Sequence, residues 1–273
     1  MAQGYPFSDK EYLEILELTF EVAESIKGKV SADGRKPDSQ YLALKLYTHA
    51  ATAYWLYTGT KSTVPASTGG SFFVDFSSIA VLTRSALETY LSFFEVFVAP
   101  KTDDEFEFNY CLWHLSGQVI RENLIPIDPA LHEDYKIAQE DIKVLRARLM
   151  ATTVFQRLKP KAQKDVLKGK RKRDWLLVAK SAGFGHQFIR RIYAYYSGFV
   201  HADGFTAGQL MSAQTKDDQL FHAQIHLVTL MIILSKFIID YGNLFEDVQV
   251  IFPKFNSAYE RAMFWSEIAK RLN

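Results

Sequence analysis

The sequence predicts an all-α protein, a multi-helix bundle of about eight or nine helices. Apolar residues recur at intervals of three and four along most of the chain, beginning with Leu13, Leu16 and Phe20. Ser8 stands before this first run with Glu11 three residues later, a pattern typical of a capping box. Strand-like alternation is nearly missing, and VQVIF at 248–252 is the one short strand candidate.

Nine helices are expected in chain order. They cover about 8–27, 38–59, 75–99, 103–122, 128–151, 174–184, 186–201, 217–241 and 255–271. The second ends at Gly59 before a loop rich in Gly, Ser and Thr, and the third is stopped by Pro100. The third helix is apolar nearly all round, which indicates that it is buried among the others.

The composition is that of a folded globular protein. Of 273 residues, 48% are apolar and 23% charged, and the 14% of aromatic residues predicts a core rich in rings. We expect a single helical domain over 1–273, with a core at about 75–240, an N-terminal helical pair at 1–60 and a C-terminal helical appendage at 242–273.

The single cysteine, Cys111, excludes an internal disulfide and a multi-cysteine zinc site. No basic stretch followed by an apolar run opens the chain, so we expect a cytoplasmic protein.

The segment 220–241 is the most hydrophobic of the chain. Its uninterrupted apolar part is about half the length of a membrane-spanning helix, and His222, His226 and Lys236 interrupt the remainder. We therefore expect a central, buried bundle helix and no membrane partner.

Charge is concentrated in one place. The net charge is +1, yet residues 159–173 carry eight Lys or Arg and one Asp. Clustered cations of this kind favour phosphate backbones, and Lys170, Arg171, Lys172 and Arg173 are the predicted nucleic-acid contacts. The alternative is a solvated loop between helices.

A row of polar residues follows one face of the helix at 186–201. His186, Arg190, Tyr193, Ser197 and His201 succeed one another at steps of three and four. Because Gly198 adjoins this row, a ligand or another backbone can approach there. The row faces either solvent or a cleft.

Arg84 and Glu88 lie four residues apart in the apolar third helix, within pairing reach. This pair is either an ion pair at the rim of the bundle or a pair that orders a site.

The steps "RSALE" and "YAYYSGFVH" together resemble a set of bacterial all-helical proteins distantly similar to HEPN (higher eukaryote and prokaryote nucleotide-binding) bundles. The likeness covers about 75–240. It implies that Arg84, Glu88, Tyr193, Ser197 and His201 line one pocket, in a protein of bacterial stress response or phage defence.

The histidines of the chain suggest a different chemistry. His222 and His226, four residues apart, can present two imidazoles to one metal ion, with Glu88, His201 or His49 as further ligands. This is a weak alternative to a site without metal. No glycine-rich phosphate loop is present, and no cofactor is expected.

The leading hypothesis is a protein that binds or acts on RNA or a nucleotide. In it, Arg84 and Arg190 neutralise charge, His201 transfers a proton, and Glu88 orients one of these groups. Tyr193 and Ser197 complete the candidate catalytic set. The alternatives are a non-catalytic interaction or ligand-binding module, with a second copy or another protein as partner, and a metal-dependent hydrolase using the bundle histidines.

Overall fold

The computed structural model describes residues 7–29, 36–61, 72–124, 132–201 and 203–272, which are mostly helical. The α-helices are α1 (Asp9–Glu24), α2 (Lys36–Tyr57), α3 (Phe76–Phe93), α4 (Asp103–Leu124), α5 (His132–Ala151), α6 (Thr153–Gln156), α7 (Pro160–Leu167), α8 (Trp175–Ser181), α9 (His186–His201), α10 (Gly204–Ser212), α11 (Lys216–Leu244), α12 (Glu246–Gln249) and α13 (Asn256–Arg271). A π-helix, Phe94–Val98, continues α3, and a 3₁₀ helix, Phe252–Phe255, precedes α13.

The all-α class is confirmed, whereas the predicted number of helices is not. The long helices lie where the apolar periodicity placed them. The additional helices are the short ones, α6, α7, α10 and α12, each of four to nine residues. They are too short to display a repeated apolar spacing in the sequence.

The strand candidate at 248–252 is wrong. Val248 belongs to α12, and Phe252 begins the 3₁₀ helix. The described residues pair as strands elsewhere, in a two-residue antiparallel pair with Thr60 opposite Phe73. Val248 buries its side chain from within a helical turn. The β-branched residues of this segment therefore did not suffice to make it a strand.

The chain divides into two compact units. Unit 1 comprises 1–93 and 175–273, and unit 2 comprises 94–174. The helices of the predicted N-terminal pair and C-terminal appendage belong to unit 1 together with α3, α9 and α11.

Helix α11 forms the centre of unit 1 and packs against α1, α2, α3 and α13. Its residues from His226 to Ile238 are buried, as aliphatic side chains on every face of a helix require. This agrees with the expected central helix. It is also the one helix of the described residues long and apolar enough to cross a membrane, although 78% of its most apolar stretch is buried inside the fold.

The start of α1 shows how local and distant contacts combine. The Ser8 side chain accepts a hydrogen bond from the Glu11 N–H (3.4 Å), as the capping pattern predicts. The Glu11 carboxylate instead turns to α13, where it accepts from Trp265 Nε1 (3.0 Å) and approaches Arg261 (3.5 Å). One residue of the cap thus ties the first helix to the last.

Unit 2 is built on α4 and α5, which pack side by side. Arg148 of α5 binds both carboxylate oxygens of Glu107 of α4, at 2.7 and 3.1 Å. Gly169 lies two residues after the end of α7, and its positive φ turns the chain away from the helix axis. A Cβ on Gly169 would lie 3.2 Å from the Ser116 backbone, so glycine allows the turn to rest on α4.

Candidate functional site

A polar cluster lies between α3 and α9 in unit 1, centred on Arg84. The Arg84 Nε donates to Glu88 Oε1 (3.1 Å), and one terminal nitrogen donates to the Tyr193 hydroxyl (3.1 Å). The other terminal nitrogen donates to Ser197 Oγ. The guanidinium also lies over the Tyr193 ring, 4.6 Å from its centre.

Helical spacing on both elements produces this convergence. Arg84 and Glu88 are four residues apart on α3, and Tyr193 and Ser197 are four apart on α9, so each pair shares a face. Packing of α3 against α9 brings the two faces together. Ser197 is fixed further because its hydroxyl donates to the Tyr193 carbonyl oxygen (2.8 Å).

The cluster is buried at its centre and open at one end. The Arg84 side chain is 13% exposed and that of Glu88 36%. Burial raises the pKa of Tyr193; Arg84 opposes this effect and Glu88 adds to it. The phenol is therefore a neutral hydrogen-bonding group at neutral pH, and Glu88 is the member that solvent or a ligand reaches.

A second polar pair adjoins this cluster along α3. Ser85 Oγ lies 3.0 Å from Nε2 of His49 on α2. Burial, assisted by the nearby Lys45, lowers the pKa of His49 and favours the neutral imidazole. Ser85 follows Arg84 directly and is three residues from Glu88, but no sequence signal connected it with His49, which lies 36 positions earlier.

The outer members of the polar row on α9 stand apart from the cluster. His186, Arg190 and His201 are exposed, and none makes a hydrogen bond or ion pair with another described residue. The gap expected beside Gly198 is occupied within the chain, because a Cβ there would lie 2.6 Å from the Asp203 carboxylate. The proposed catalytic roles of Arg190, His201 and Glu88 stay predictions.

The two histidines of the metal alternative lie in different environments. His226 is buried, with Nδ1 3.3 Å from the Tyr196 hydroxyl, and burial lowers its pKa to about 3. His222 stacks on Phe76, with ring centres 4.9 Å apart. Among the described residues no group of three or more His, Cys, Asp or Glu is placed to hold a metal ion.

The basic segment contains both buried and exposed cations. The Arg171 side chain is 8% exposed and forms an ion pair with Glu95 of the π-helix, and Arg173 approaches the same carboxylate at 3.4 Å. Lys170 lies 3.9 Å from Asp165, and Lys172 is exposed. Three of these four residues thus have a carboxylate of unit 2 as a neighbour, and the contact of all four with phosphate stays a prediction.

Three lysines on α7 and at its end were not singled out by the sequence. Lys161, Lys164 and Lys168 are all exposed, and none has a hydrogen-bonding or ionic partner among the described residues. Their spacing of three and four places them on one face, opposite the buried Val166. We call these three residues the lysine face. Seven residues of helical rise separate its ends, about 10 Å.

The two candidate sites thus differ in kind. The Arg84 cluster and the His49–Ser85 pair offer hydroxyl, imidazole and carboxylate groups in unit 1, whereas the lysine face offers positive charge in unit 2. Comparisons of the chain with protein families, with curated proteins and with solved structures give no match.

Proposed function

We propose that the chain binds RNA through the phosphate backbone, with the lysine face of α7 as the principal contact. The observation that supports this proposal is the set of three exposed, unpaired cations along one helical face. Phosphate groups release bound counterions when lysines neutralise them, so a row of free ammonium groups gains binding energy without base-specific contacts.

Further exposed cations flank the lysine face within unit 2. They are Arg157, Lys159, Lys170 and Lys172. The inward Arg171 and Arg173 add support of another kind, because their pairing with Glu95 holds the coil after α7 in place. In this proposal the two arginines position the segment and the lysines contact phosphate.

Binding of single-stranded RNA by the full chain, measured by fluorescence anisotropy over a range of salt concentrations, tests this function. The affinity should fall steeply with salt, as counterion release requires. Absence of binding at low salt, or binding that is insensitive to salt, would contradict it. The HEPN-like relationship and a role in phage defence stay hypotheses alongside it, since RNA binding alone does not distinguish them.

A second candidate function, self-association, is favoured by α10. This helix carries no charged residue, and Phe205, Leu210 and Met211 are 60%, 50% and 74% exposed. Between these large side chains, Gly204 and Gly208 leave open space. Small residues permit close approach of a helix, and a twofold axis would set the large side chains of one copy over the glycines of the other.

The oligomeric state tests this second candidate. Light scattering during size-exclusion chromatography should give the mass of a dimer for the parent chain and of a monomer for Met211→Glu. A matched change on an exposed position of another helix, Ile120→Glu, should leave the mass unchanged. A monomeric parent chain removes the proposal.

A further inference from the structure

Ser85 differs from the other hydroxyl residues beside it on α3. Thr83, Thr89 and Ser92 each donate to the carbonyl oxygen one turn earlier, at 2.8, 2.7 and 2.8 Å. A hydroxyl inside a helix is often satisfied in this way. Ser85 makes no such bond among the described residues, and its Oγ lies 3.0 Å from Nε2 of His49 on α2 instead. The Ser85 hydroxyl is therefore directed at an imidazole on a neighbouring helix.

The direction of this hydrogen bond follows from the protonation of His49. Burial, assisted by the nearby Lys45, lowers the pKa of His49, so one ring nitrogen carries a proton and the other accepts one. Because the Ser85 hydroxyl has no other acceptor among the described residues, it donates to Nε2. A hydroxyl that donates to a neutral imidazole over about 2.6–3.2 Å is the arrangement of a nucleophile and its general base.

The pair lies on the solvent side of α3. Ser85 and His49 are both partly exposed. Val81, one turn before Ser85, is 39% exposed, and the Glu88 side chain, on the following turn, is 36% exposed. Since residues three and four apart share a helical face, the face that carries Ser85 is open on both sides of it. A small molecule can reach the hydroxyl from solvent.

The backbone that carries the pair is held firmly by its neighbours in sequence. Arg84 binds Tyr193 on α9, and Ala86 follows Ser85 with no exposed surface. Ala50, next to His49 on α2, is also fully buried. Helices α2 and α3 pack against each other along this stretch. The serine and the histidine thus stand on two rigid elements, as an arrangement for covalent chemistry requires.

We propose that Ser85 is a nucleophile that accepts the acyl group of a small carboxylic ester, with His49 as its general base. The Ser85 oxygen bonds to the carbonyl carbon while His49 Nε2 takes the hydroxyl proton. The carbon–oxygen bond of the ester then breaks, and the alcohol leaves with that proton. Water, deprotonated by the same imidazole, releases the acyl group as a carboxylic acid and restores the serine, so no oxidant or reductant is needed. The pair lies in unit 1 and is independent of the RNA-binding surface, which lies in unit 2.

The first experiment treats the full chain with diisopropyl fluorophosphate, which transfers its phosphoryl group to an activated serine oxygen as fluoride leaves. Peptide mass mapping should place the adduct on Ser85. Ser92 and Ser197, whose hydroxyls donate to carbonyl oxygens, should stay unlabelled. The chain unfolded in urea should show no preferred adduct, because the activation depends on the approach of α2 to α3.

The ester reaction is measured with p-nitrophenyl acetate, which releases a coloured phenolate. Mass mapping should find the acetyl group on Ser85, and Ser85→Ala should reduce the release to that of the unfolded chain. His49→Gln keeps a side chain that can hydrogen-bond to Ser85 but cannot take its proton. Its rate of labelling should fall by about 100-fold or more, whereas its thermal unfolding should stay close to that of the parent chain. His186→Gln, at an exposed position of α9, is the matched control and should label at the parent rate.

A parent chain without an adduct on Ser85 would overturn the proposal, and this result needs no variant. An adduct spread evenly over the serines would likewise show that Ser85 is not activated. Equal rates of labelling for the parent chain and His49→Gln would overturn the role of His49 as the base. Failure of RNA binding leaves all of these outcomes unchanged, because the two sites are tested with different reagents.

Discussion

Arg171 and Glu95 form an ion pair across 76 positions of the sequence, and the arginine side chain is nearly buried. The pair fastens the coil after α7 to the π-helix that follows α3. Burial raises the pKa of Glu95, and Arg173 opposes this effect. In the basic segment, two arginines thus stabilise the fold of unit 2, whereas the lysines face solvent.

Arg171→Gln should destabilise unit 2 by about 3 kcal/mol, because removal of one partner leaves the other charge buried with reduced compensation. Urea unfolding followed by circular dichroism measures the change. Lys172→Gln, one residue away and exposed, is the matched control and should change stability by less than about 0.5 kcal/mol. Equal effects of the two substitutions would show that the ion pair does not support the fold.

The triple change Lys161→Gln, Lys164→Gln and Lys168→Gln should weaken RNA binding and lower its salt dependence. Each lost phosphate contact removes about 0.7 from the slope of log affinity against log salt on a single strand, so three remove about 2. Different RNA sequences should be affected alike, since backbone contacts carry no base information.

A triple variant of equal charge change provides the control for the lysine face. Lys10, Lys45 and Lys254 are exposed residues of unit 1, and their replacement by Gln should alter the slope by much less. If the two triple variants lose affinity and slope equally, general charge rather than α7 governs binding. Both variants should fold normally, because exposed substitutions cost little stability.

The Arg84 cluster should contribute to stability whatever ligand it serves. Arg84→Met removes three donors at once and should cost about 2–3 kcal/mol, since hydrogen bonds from a charged donor are stronger than neutral ones. Ser197→Ala removes one acceptor for Arg84 and one donor to the Tyr193 carbonyl oxygen, and it should cost about 1 kcal/mol. Thermal and urea unfolding measure both.

Arg190 lies in the polar row of α9 and is exposed, so Arg190→Gln is the comparison for Arg84→Met. It should leave the free energy of unfolding almost unchanged. If Arg84→Met proves equally neutral, the contacts with Glu88, Tyr193 and Ser197 contribute nothing net to folding. In that case the cluster would more closely fit a site kept for a ligand.

Local patterns predicted the long helices but not what each side chain meets. The Ser8 cap and the closely spaced Arg84 and Glu88 could be found because their partners lie within one helical turn. The convergence of Arg84 with Ser197 spans 113 positions and depends on how α3 packs against α9. Periodicity fixes which residues share a face, but not which faces meet.

The same limit explains the basic segment. Its eight Lys and Arg residues carry the same charge. No local pattern in the sequence distinguishes Arg171, which binds Glu95, from Lys172, which faces solvent. Helix α7 was missed because only Val166 among its residues is buried, so its apolar pattern is too short to register. Likewise, His49 and Ser85 meet only through the packing of α2 against α3.

His226 should make the stability of the protein depend on pH in the acidic range. Its pKa is about 3 in the folded protein, and the ordinary value is 6.5. A histidine whose folded pKa is depressed contributes stability that is fully present above the unfolded pKa and is lost as the pH falls toward the folded one. Here the affected window runs from about pH 6.5 down to about 3.

Between pH 7 and pH 5 this single histidine should cost about 2 kcal/mol of unfolding free energy, at 1.36 kcal/mol per unit of pKa difference. Other groups titrate as well. The quantity to measure is therefore the difference between the parent chain and His226→Gln in the free energy of unfolding at each pH. The glutamine retains hydrogen-bonding capacity toward the Tyr196 hydroxyl but does not titrate. The variant should be less stable at pH 7 and should lose about 2 kcal/mol less on acidification. If the two proteins lose stability equally on acidification, the imidazole is protonated as readily in the folded chain as in the unfolded one. That result would contradict the burial of His226 against the rings of Tyr195, Tyr196 and Phe199.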